Sequence, residues 1–343
     1  MKMIDQVYAA TIEYIDLMPK AKRKKYGQFF TSKETAVFMA DLFSIPKERS
    51  LLRILDPGAG SGILSVALLD RLESIDGINS VELVCYENNS DIIELLYSNL
   101  ELVRSQSAKN ISFEIITENY ILSQVLDYND AFWANPTTNK FDMVIGNPPY
   151  MKIAKNAPES VAMSNICYGA PNLYFLFAAM SMFNLKDDGE MVYIIPRSWT
   201  SGAYFKQFRK YFFGKGVLEH IHLFVSRDKV FEKESVLQET IIIKARKTLK
   251  RPETIVITTT QSNSDFSERT IFEAPYHTVV SGHEFYVYLV TNASEVRTLN
   301  QLNQWQDTLL DIGLKMKTGL TVDFRNREAL RDSTEDNAVP LFY

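Results

Sequence analysis

The chain is poor in cysteine and has no long hydrophobic run, and each absence argues against a class of protein. Only two cysteines, Cys85 and Cys167, occur among 343 residues, too few for a disulfide framework or a cysteine zinc site. No apolar run approaches the ~20 residues that a membrane-spanning helix needs. The segment from Met1 to Asp5 lacks the apolar stretch of a secretory signal. These absences predict a cytoplasmic protein with no membrane association and no bound metal.

A surplus of positive charge is also missing. The formal net charge is −5, which argues against a surface that is basic throughout and binds DNA over most of its area. A local basic face is still compatible with this total, because five cations lie in the six residues from Lys20 to Lys25. This run is either a solvated helix end or a contact to phosphate, and the sequence favours neither.

What the chain does have is a regular alternation of strands and helices. Its composition, 46% hydrophobic and 23% charged, is typical of globular proteins. After a helix at 4–18, strands are predicted at 51–55, 81–86, 111–116, 141–145, 191–195, 218–224 and 240–244, and helices at 63–75, 92–103, 173–185 and 205–213. The alternation indicates an α/β domain with a mostly parallel sheet and helices on both faces. The last two strands have no clear helix between them, which allows an antiparallel pair at one edge.

Beyond residue 244 the composition changes, and a domain boundary is predicted there. Residues 258–267 are rich in Thr, Ser, Asn and Gln. A strand-like run at 286–290 and a helix at 296–310 are too few for an independent core. We therefore predict a main domain at 1–245 and a linker with an incomplete second region at 246–343. Because the chain ends on the apolar residues 339–343, we expect further structure downstream.

A glycine-rich loop, Asp56 to Gly62, follows the first strand and opens a helix. Its glycines let the backbone turn tightly and approach a ligand closely. The Gly-x-Gly-x-Gly spacing differs from the Gly-x-Gly-x-x-Gly of dinucleotide folds, and the Asp56 carboxylate suits an amine-bearing ligand. Glu87, after the second strand, is placed to accept from two ribose hydroxyls. Asn119 and Tyr120, after the third strand, are placed to meet an adenine edge and to stack on its ring. The alternatives are a plain glycine turn and a solvated acid.

The turn Gly146-Asn147-Pro148-Pro149-Tyr150 follows the buried strand at 141–145. An aromatic amine is a poor nucleophile because its lone pair is delocalised. The Asn147 side-chain oxygen and the Pro148 carbonyl can accept from its N–H groups and free that lone pair. Prolines remove competing donors and fix the backbone, and the carbonyl dipoles stabilise positive charge as a methyl group arrives. Tyr150 offers a stacking face worth ~1–3 kcal/mol per base. A base paired in a duplex would have to be flipped out to reach this turn. The alternative is a structural Pro-Pro turn.

In these motifs and their order, over roughly residues 20–245, the chain resembles the amino-group DNA methyltransferases that use S-adenosylmethionine. More specifically, it is similar to the adenine-N6 enzymes of the gamma class found in restriction–modification systems. Residues 26–31, Tyr-Gly-Gln-Phe-Phe-Thr, match the N-terminal cofactor motif of that family. Phe231 resembles the aromatic that sandwiches the flipped adenine opposite Tyr150. Residues 236–240 are typical of restriction–modification methylases, and residues 318–325 resemble the start of a target-recognition region.

The resemblance implies a Rossmann-like fold with a seven-stranded, mostly parallel sheet, helices on both faces and the start of a C-terminal recognition region. It implies methyl transfer from S-adenosylmethionine to the N6 amine of a flipped adenine in double-stranded DNA, with a restriction endonuclease or specificity subunit as a partner. The implied site residues are Gln28, Phe29, Thr31, Asp56, Pro57, Gly58, Gly60, Glu87, Asn119 and Tyr120 for the cofactor, Asn147, Pro148, Pro149 and Tyr150 for catalysis, and Tyr150 and Phe231 for stacking. The family usually has Asp at the position of Asn119, so the amide oxygen would have to replace a carboxylate there.

Alternatives from other classes stay open. A protein glutamine methyltransferase of the release-factor type shares the glycine loop and the Asn-Pro-Pro-Tyr turn but usually lacks the motif at 26–31. An RNA base is a weaker variant of the nucleic-acid hypothesis. Intact residues 147–150 argue against a non-catalytic DNA-binding subunit, and the glycine spacing argues against a dehydrogenase. No nuclease-type carboxylate cluster precedes Tyr26, so we do not expect this chain to cleave DNA.

Overall fold

The computed structural model describes residues 2–17, 19, 30–46, 49–129, 140–225, 239–305, 307 and 309–315. By their contacts the residues divide into two units, Met1–Val296 and Arg297–Tyr343. The first unit contains the sheet and the site described below. The described part of the second unit consists of the last turns of a helix and a series of turns up to residue 315.

A nine-stranded mixed sheet forms the centre of the first unit, in the spatial order β3-β2-β1-β4-β5-β7-β6-β8-β9. Its strands are β1 (Leu51–Pro57), β2 (Ser80–Tyr86), β3 (Asn110–Ile116), β4 (Phe141–Gly146), β5 (Leu185–Pro196), β6 (Val217–Phe224), β7 (Thr240–Arg246), β8 (Thr254–Thr260) and β9 (Thr270–Pro275). The pairs β5–β7, β7–β6 and β8–β9 are antiparallel, and the other neighbours are parallel. A separate hairpin joins β10 (Val280–Ser281) to β11 (Tyr286–Val287).

Helices cover both faces of this sheet. They are α1 (Met3–Leu17), α2 (Lys33–Asp41), α3 (Ile63–Glu73), α4 (Ser90–Gln106), α5 (Val125–Asn129), α6 (Pro158–Ala162), α7 (Leu173–Asn184), α8 (Lys206–Phe213), α9 (Tyr276–Val279) and α10 (Ala293–Leu302). Helices α1 to α4 share one apolar core with β1 and β2, and α7 packs against α8 through the tilted rings of Phe175 and Phe208, whose centroids are 5.4 Å apart. All six residues of β4 are buried. Since successive strand residues point to opposite faces, β4 is covered on both.

Local sequence explains where several of these helices begin. Ser32 caps α2 by accepting from the Thr35 N–H, Asn89 caps α4 by accepting from the Asp91 N–H, and Asn172 precedes α7 in the same role. Such caps satisfy backbone donors that have no partner within the helix. No helix in the described part of the chain combines the length and apolar character needed to cross a membrane.

The sheet confirms the predicted parallel core, the helices on both faces and an antiparallel pair of β6 with β7. The pair does not lie at the edge of the sheet, because β8 and β9 lie beyond it. The expected number of seven strands is wrong, because β8 and β9 extend the described sheet to nine. The domain boundary is predicted after residue 244 because the run at 258–267 is polar. The three threonines of this run that end β8, Thr258 to Thr260, are nevertheless buried and hydrogen-bonded. The sheet therefore continues past residue 245, and the first compact unit reaches Val296. The division of function at 245 stays a prediction.

Candidate active site

A cavity of about 370 Å³ lies at the carboxyl ends of the four neighbouring parallel strands β3, β2, β1 and β4. This edge is where ligands bind in open α/β sheets. The lining residues are Phe30, Gly58, Gly60, Tyr86, Glu87, Asn88, Asn89, Glu118, Asn119, Tyr120, Asn147, Pro148, Pro149, Met151, Leu173 and Phe177. The structure thus brings most of the described residues predicted for the cofactor and for catalysis to one cavity, although they come from four separate strands.

The glycine loop is fixed to the end of β2. The N–H groups of Gly58 and Ala59 donate to the Tyr86 carbonyl oxygen at 2.8 and 2.9 Å. The Gly60 N–H donates to Glu87 Oε2 at 2.9 Å, and the Asn89 N–H donates to Glu87 Oε1 at 2.8 Å. Burial raises the pKa of Glu87, and these N–H donors oppose that shift. Each oxygen of this fixed carboxylate keeps acceptor capacity for a ligand hydroxyl.

Asp56, at the end of β1, is fully buried and only half satisfied. Its Oδ2 accepts from the Ser65 hydroxyl at 2.7 Å, while its Oδ1 has no hydrogen-bond partner among the described residues. Burial raises the pKa of Asp56 to about 7, and the nearby Glu87 acts in the same direction. A buried acceptor without a partner destabilises the protein unless a ligand satisfies it. Glu87 lines the cavity and fits a cofactor that carries ribose hydroxyls, whereas the Asp56 acceptor lies buried behind the cavity wall.

The side chain of Asn119 is bonded at both of its polar atoms. Its Oδ1 accepts from the N–H groups of Ile121 and Leu122 at 3.0 and 3.1 Å. Its Nδ2 donates to Glu159 Oε1 at 2.7 Å. Glu159 lies 40 residues further along the chain, in α6, and no local pattern in the sequence connects it to Asn119.

Tyr120 is 3% exposed and forms part of the cavity wall. Its hydroxyl pairs with Ser181 Oγ at 3.0 Å and accepts from Asn184 Nδ2 at 3.1 Å. Its ring contacts those of Tyr86 and Phe177, with centroids 5.0 and 5.1 Å away. Because the hydroxyl is bonded inside the protein, the ring is held in place as a rigid apolar surface.

The Asn147 amide is held by one hydroxyl on each side. Its Nδ2 donates to Thr31 Oγ1 at 3.1 Å, and its Oδ1 accepts from the Tyr150 hydroxyl at 2.7 Å. The same hydroxyl lies 2.9 Å from the Ile194 carbonyl oxygen, a second acceptor for its single hydrogen. Burial raises the pKa of Tyr150 well above its ordinary value, so this hydroxyl stays protonated. At Gly146, any side chain would collide with the Tyr193 ring, so the turn is packed directly onto β5.

Not every predicted residue lies at the cavity. Asp56 and Pro57 are at the end of β1 but do not line it, and Tyr150 is 7% exposed behind Asn147. Phe30, from the N-terminal motif, does line it and meets Tyr14 edge-on at 6.3 Å between centroids. Gln28, Phe29 and Phe231 lie outside the described residues, as do 20–25, 236–238 and 318–325.

Comparison with known proteins gives consistent matches. The family model of the Eco57I restriction–modification methylases matches residues 17–231. The type II methyltransferase M.PstI of Providencia stuartii is 32% identical over 347 residues, which cover 99% of this chain and 66% of the relative. M.BsuBI of Bacillus subtilis, also a type II methyltransferase, is 34% identical over 331 residues, which cover 95% of this chain and 64% of the relative. The chain therefore spans slightly less than two thirds of the length of either relative.

A solved structure is similar in fold. It is a Listeria monocytogenes protein assigned to the class I S-adenosylmethionine-dependent methyltransferases, with a TM-score of 0.53 and 18% sequence identity. The match covers 69% of this chain and 68% of that chain. At this identity the likeness shows the fold alone, that of an α/β methyltransferase.

Proposed function

The chain belongs to the Eco57I restriction–modification methylase family, and we propose that it methylates the N6 amine of an adenine in a specific sequence of double-stranded DNA. The observation that carries the proposal is the placement of Asn147. Its amide lies in the wall of the cavity that Glu87 and the glycine loop also line, and hydroxyls hold both of its polar atoms. A methyl donor and an aromatic amine could therefore meet at one point.

The cofactor is S-adenosylmethionine, which supplies a methyl group on a positively charged sulfonium. Asp56 fits its ammonium group, because Oδ1 is a buried acceptor without a described partner. Glu87 fits its ribose hydroxyls, because the Gly60 and Asn89 N–H groups leave each carboxylate oxygen able to accept again. Tyr86, Tyr120 and Phe177 provide the apolar wall for its adenine ring.

Asn147 then acts on the substrate amine. A carbonyl oxygen has two lone pairs, so Oδ1 can accept from the amine while it still faces Tyr150. When the amine binds, the Tyr150 hydroxyl can direct its hydrogen fully to the Ile194 carbonyl oxygen, 2.9 Å away. Asn147 Oδ1 is then a stronger acceptor for the amine. This acceptor and the Pro148 carbonyl draw the amine out of conjugation and stabilise the positive charge that develops on it.

The remaining parts of the proposal concern DNA. The target adenine must leave the duplex to reach Asn147, and we assign its two stacking faces to Tyr150 and to Phe231, which lies outside the described residues. We assign residues 1–245 to catalysis and residues 246–343 to a linker and the start of target recognition. A restriction endonuclease or specificity subunit is the proposed partner, and the cytoplasm is the proposed location.

A methyl-transfer assay tests this proposal. The protein is incubated with tritiated S-adenosylmethionine and either unmethylated duplex DNA, RNA or a protein release factor. We expect label in duplex DNA alone. Label in the release factor without label in DNA would favour the glutamine methyltransferase. The nitrogen of its substrate amide also has a delocalised lone pair that Asn147 would have to free. No label in any substrate, together with tight DNA binding, would favour a non-catalytic subunit.

A further inference from the structure

We propose that Glu159 and Asn119 act together as the pair that recognises the adenine of the cofactor, and that Glu159 is the acceptor for its 6-amine. This inference rests on the proposed use of S-adenosylmethionine. It adds a residue, Glu159, that the motifs do not contain, and it changes the role of Asn119 from acceptor to donor.

The hydrogen bonds of Asn119 carry the argument. An amide oxygen has two lone pairs, and in Asn119 the N–H groups of Ile121 and Leu122 use both. These bonds begin the short 3₁₀ helix at Leu122–Gln124, so they belong to the fold. The 6-amine of adenine is a donor and needs an acceptor. Asn119 has none left to offer.

Glu159 supplies the hydrogen-bond acceptor that Asn119 cannot provide for the 6-amine. Its Oε1 accepts from Asn119 Nδ2 at 2.7 Å, a charge-assisted distance. Asn119 lines the cavity and Glu159 does not, so the carboxylate lies one hydrogen bond behind the cavity wall. Glu159 is half-buried in the first turn of α6, which packs on the short 3₁₀ helix at Leu122–Gln124 that follows Asn119. The residue that follows β3 closely is the amide Asn119, but its hydrogen bond to Glu159 places a carboxylate next to the end of this strand.

The pattern of the pair matches adenine. Nδ2 carries two hydrogens, and the bond to Glu159 uses one, so the second can donate to the ring nitrogen N1. The Glu159 carboxylate can accept from the neighbouring 6-amine. One donor beside one acceptor is the pattern that complements this edge of adenine, whereas hypoxanthine presents the reverse pattern, an N–H at N1 and an oxygen at C6.

Glu118 is the competing carboxylate, and it makes a matched control. It precedes Asn119 and lines the cavity, but it is exposed, and no hydrogen bond joins it to Asn119 in the described structure. A solvated acid discriminates weakly between ligands, because water satisfies it equally well without them. We therefore assign recognition to Glu159 and treat Glu118 as a bystander.

Binding measurements on the intact chain test this assignment without any methyl transfer. Titration calorimetry compares S-adenosylhomocysteine with S-inosylhomocysteine, which has oxygen in place of the 6-amine. The wild type should prefer the adenosyl ligand by about 10- to 100-fold. Glu159→Ala and the isosteric Glu159→Gln should reduce this ratio to about threefold or less, and Glu118→Gln should leave it intact. Asn119→Asp combined with Glu159→Gln should restore part of the ratio, because it exchanges the carboxylate and the amide.

A wild-type ratio in both Glu159 variants would overturn the assignment, and so would a ratio lost only in Glu118→Gln. Thermal unfolding without ligand shows that each variant is folded, and Glu159→Gln serves if Glu159→Ala is not. The outcome is separate from the methylation assay. If the affinity ratio depends on Glu159 but the protein methylates no DNA, the Asn119–Glu159 pair is upheld and the proposed substrate is rejected. If the protein methylates DNA but the Glu159 variants keep the wild-type affinity ratio, the substrate is upheld and the pair is rejected.

Discussion

Asn147 Nδ2 donates to Thr31 Oγ1 at 3.1 Å, across 116 positions of sequence. Thr31 is 5% exposed and directly precedes Ser32, the cap of α2. The bond ties the segment before α2 to the proposed catalytic turn after β4. It also keeps the Asn147 amide hydrogens away from the position where a substrate amine would need an acceptor. Thr31, which the resemblance implies as a cofactor residue, is therefore also placed to orient the proposed catalytic amide.

Thr31→Val should lower kcat for methyl transfer by about 10- to 100-fold, because the amide loses the acceptor that orients it. The dissociation constant of the cofactor should change by less than about threefold. Thr31→Ser keeps a hydroxyl and should restore most of the rate. Steady-state kinetics with cofactor-binding titrations check this. If the cofactor dissociation constant rises while kcat is unchanged, Thr31 binds the cofactor, as the resemblance implies, and does not orient Asn147.

Gly62→Ala should destabilise the fold by about 2–3 kcal/mol. Gly62 has φ of +83°, and an added Cβ would lie 2.9 Å from Leu96 Cδ1. Gly282→Ala is the matched control, because φ is +72° there but nothing lies within 4 Å. The control should lose only the ~1 kcal/mol of a left-handed alanine. Urea unfolding measures both, and equal losses would remove the steric part of the explanation.

Asp56→Asn should stabilise the ligand-free protein and weaken cofactor binding. Burial raises the pKa of Asp56 from 3.8 to about 7. A raised folded-state pKa means that stability is present at low pH and is lost as the pH rises through 7. The gain over wild type should therefore be roughly 1–3 kcal/mol at pH 8 and shrink by pH 5. Cofactor affinity should fall at least about tenfold, since the ammonium loses its carboxylate. The exposed Asp76→Asn should change neither quantity, and a destabilised Asp56→Asn at pH 8 would contradict the account.

The buried His220 and His222 should make the protein acid-sensitive. Thr258 Oγ1 lies 2.8 Å from a ring nitrogen of each, and Thr260 Oγ1 lies 3.1 Å from the other nitrogen of His222. Burial lowers their pKa values from 6.5 to about 4 and about 3, and the charge of Lys244 lowers that of His220 further. Both folded-state values lie below the unfolded value, so stability is complete above pH 6.5 and is lost as the pH falls towards 4.

Each of these histidines should cost about 1.4 kcal/mol of unfolding free energy at pH 5.5 relative to pH 7.5. Urea unfolding at the two pH values measures the loss. The variant His222→Gln keeps an amide beside the threonines. Its loss of unfolding free energy between pH 7.5 and pH 5.5 should be smaller than that of the wild type by about 1.4 kcal/mol. The exposed His283→Gln should leave it unchanged. An identical pH dependence in His222→Gln would contradict the assignment.

The same histidines explain where the sequence-based prediction of the fold was incomplete. Strands β1 to β7 are apolar enough to be predicted, and their observed bounds differ little from the expected ones except at the longer β5. Strand β8 was missed because Thr258 and Thr260 are polar. They are buried beside His220 and His222, on the neighbouring β6, whose ring nitrogens form hydrogen bonds with their hydroxyls. Pairing between distant strands is not visible in a local pattern of hydrophobicity.

Contacts between distant segments also limited how much of the site could be predicted from the sequence. Glu87 and the Asn147 turn were predictable, because each directly follows a strand of the parallel core. Glu159 and the bond from Asn147 to Thr31 were not, because they depend on loops that meet only in the folded chain. The donor role that we propose for Asn119 could not be predicted either, since the acceptor capacity of its Oδ1 depends on the local turn at Ile121 and Leu122.

The most direct test of the central claim is mass spectrometry of nucleosides from duplex DNA incubated with S-adenosylmethionine and either wild type or Asn147→Ala. We expect N6-methyladenine with the wild type and none with Asn147→Ala, while titration shows that the variant still binds the cofactor. Methylation at cytosine, an unchanged N6-methyladenine yield in Asn147→Ala, or no methylated base with the cofactor-bound wild type would contradict the account.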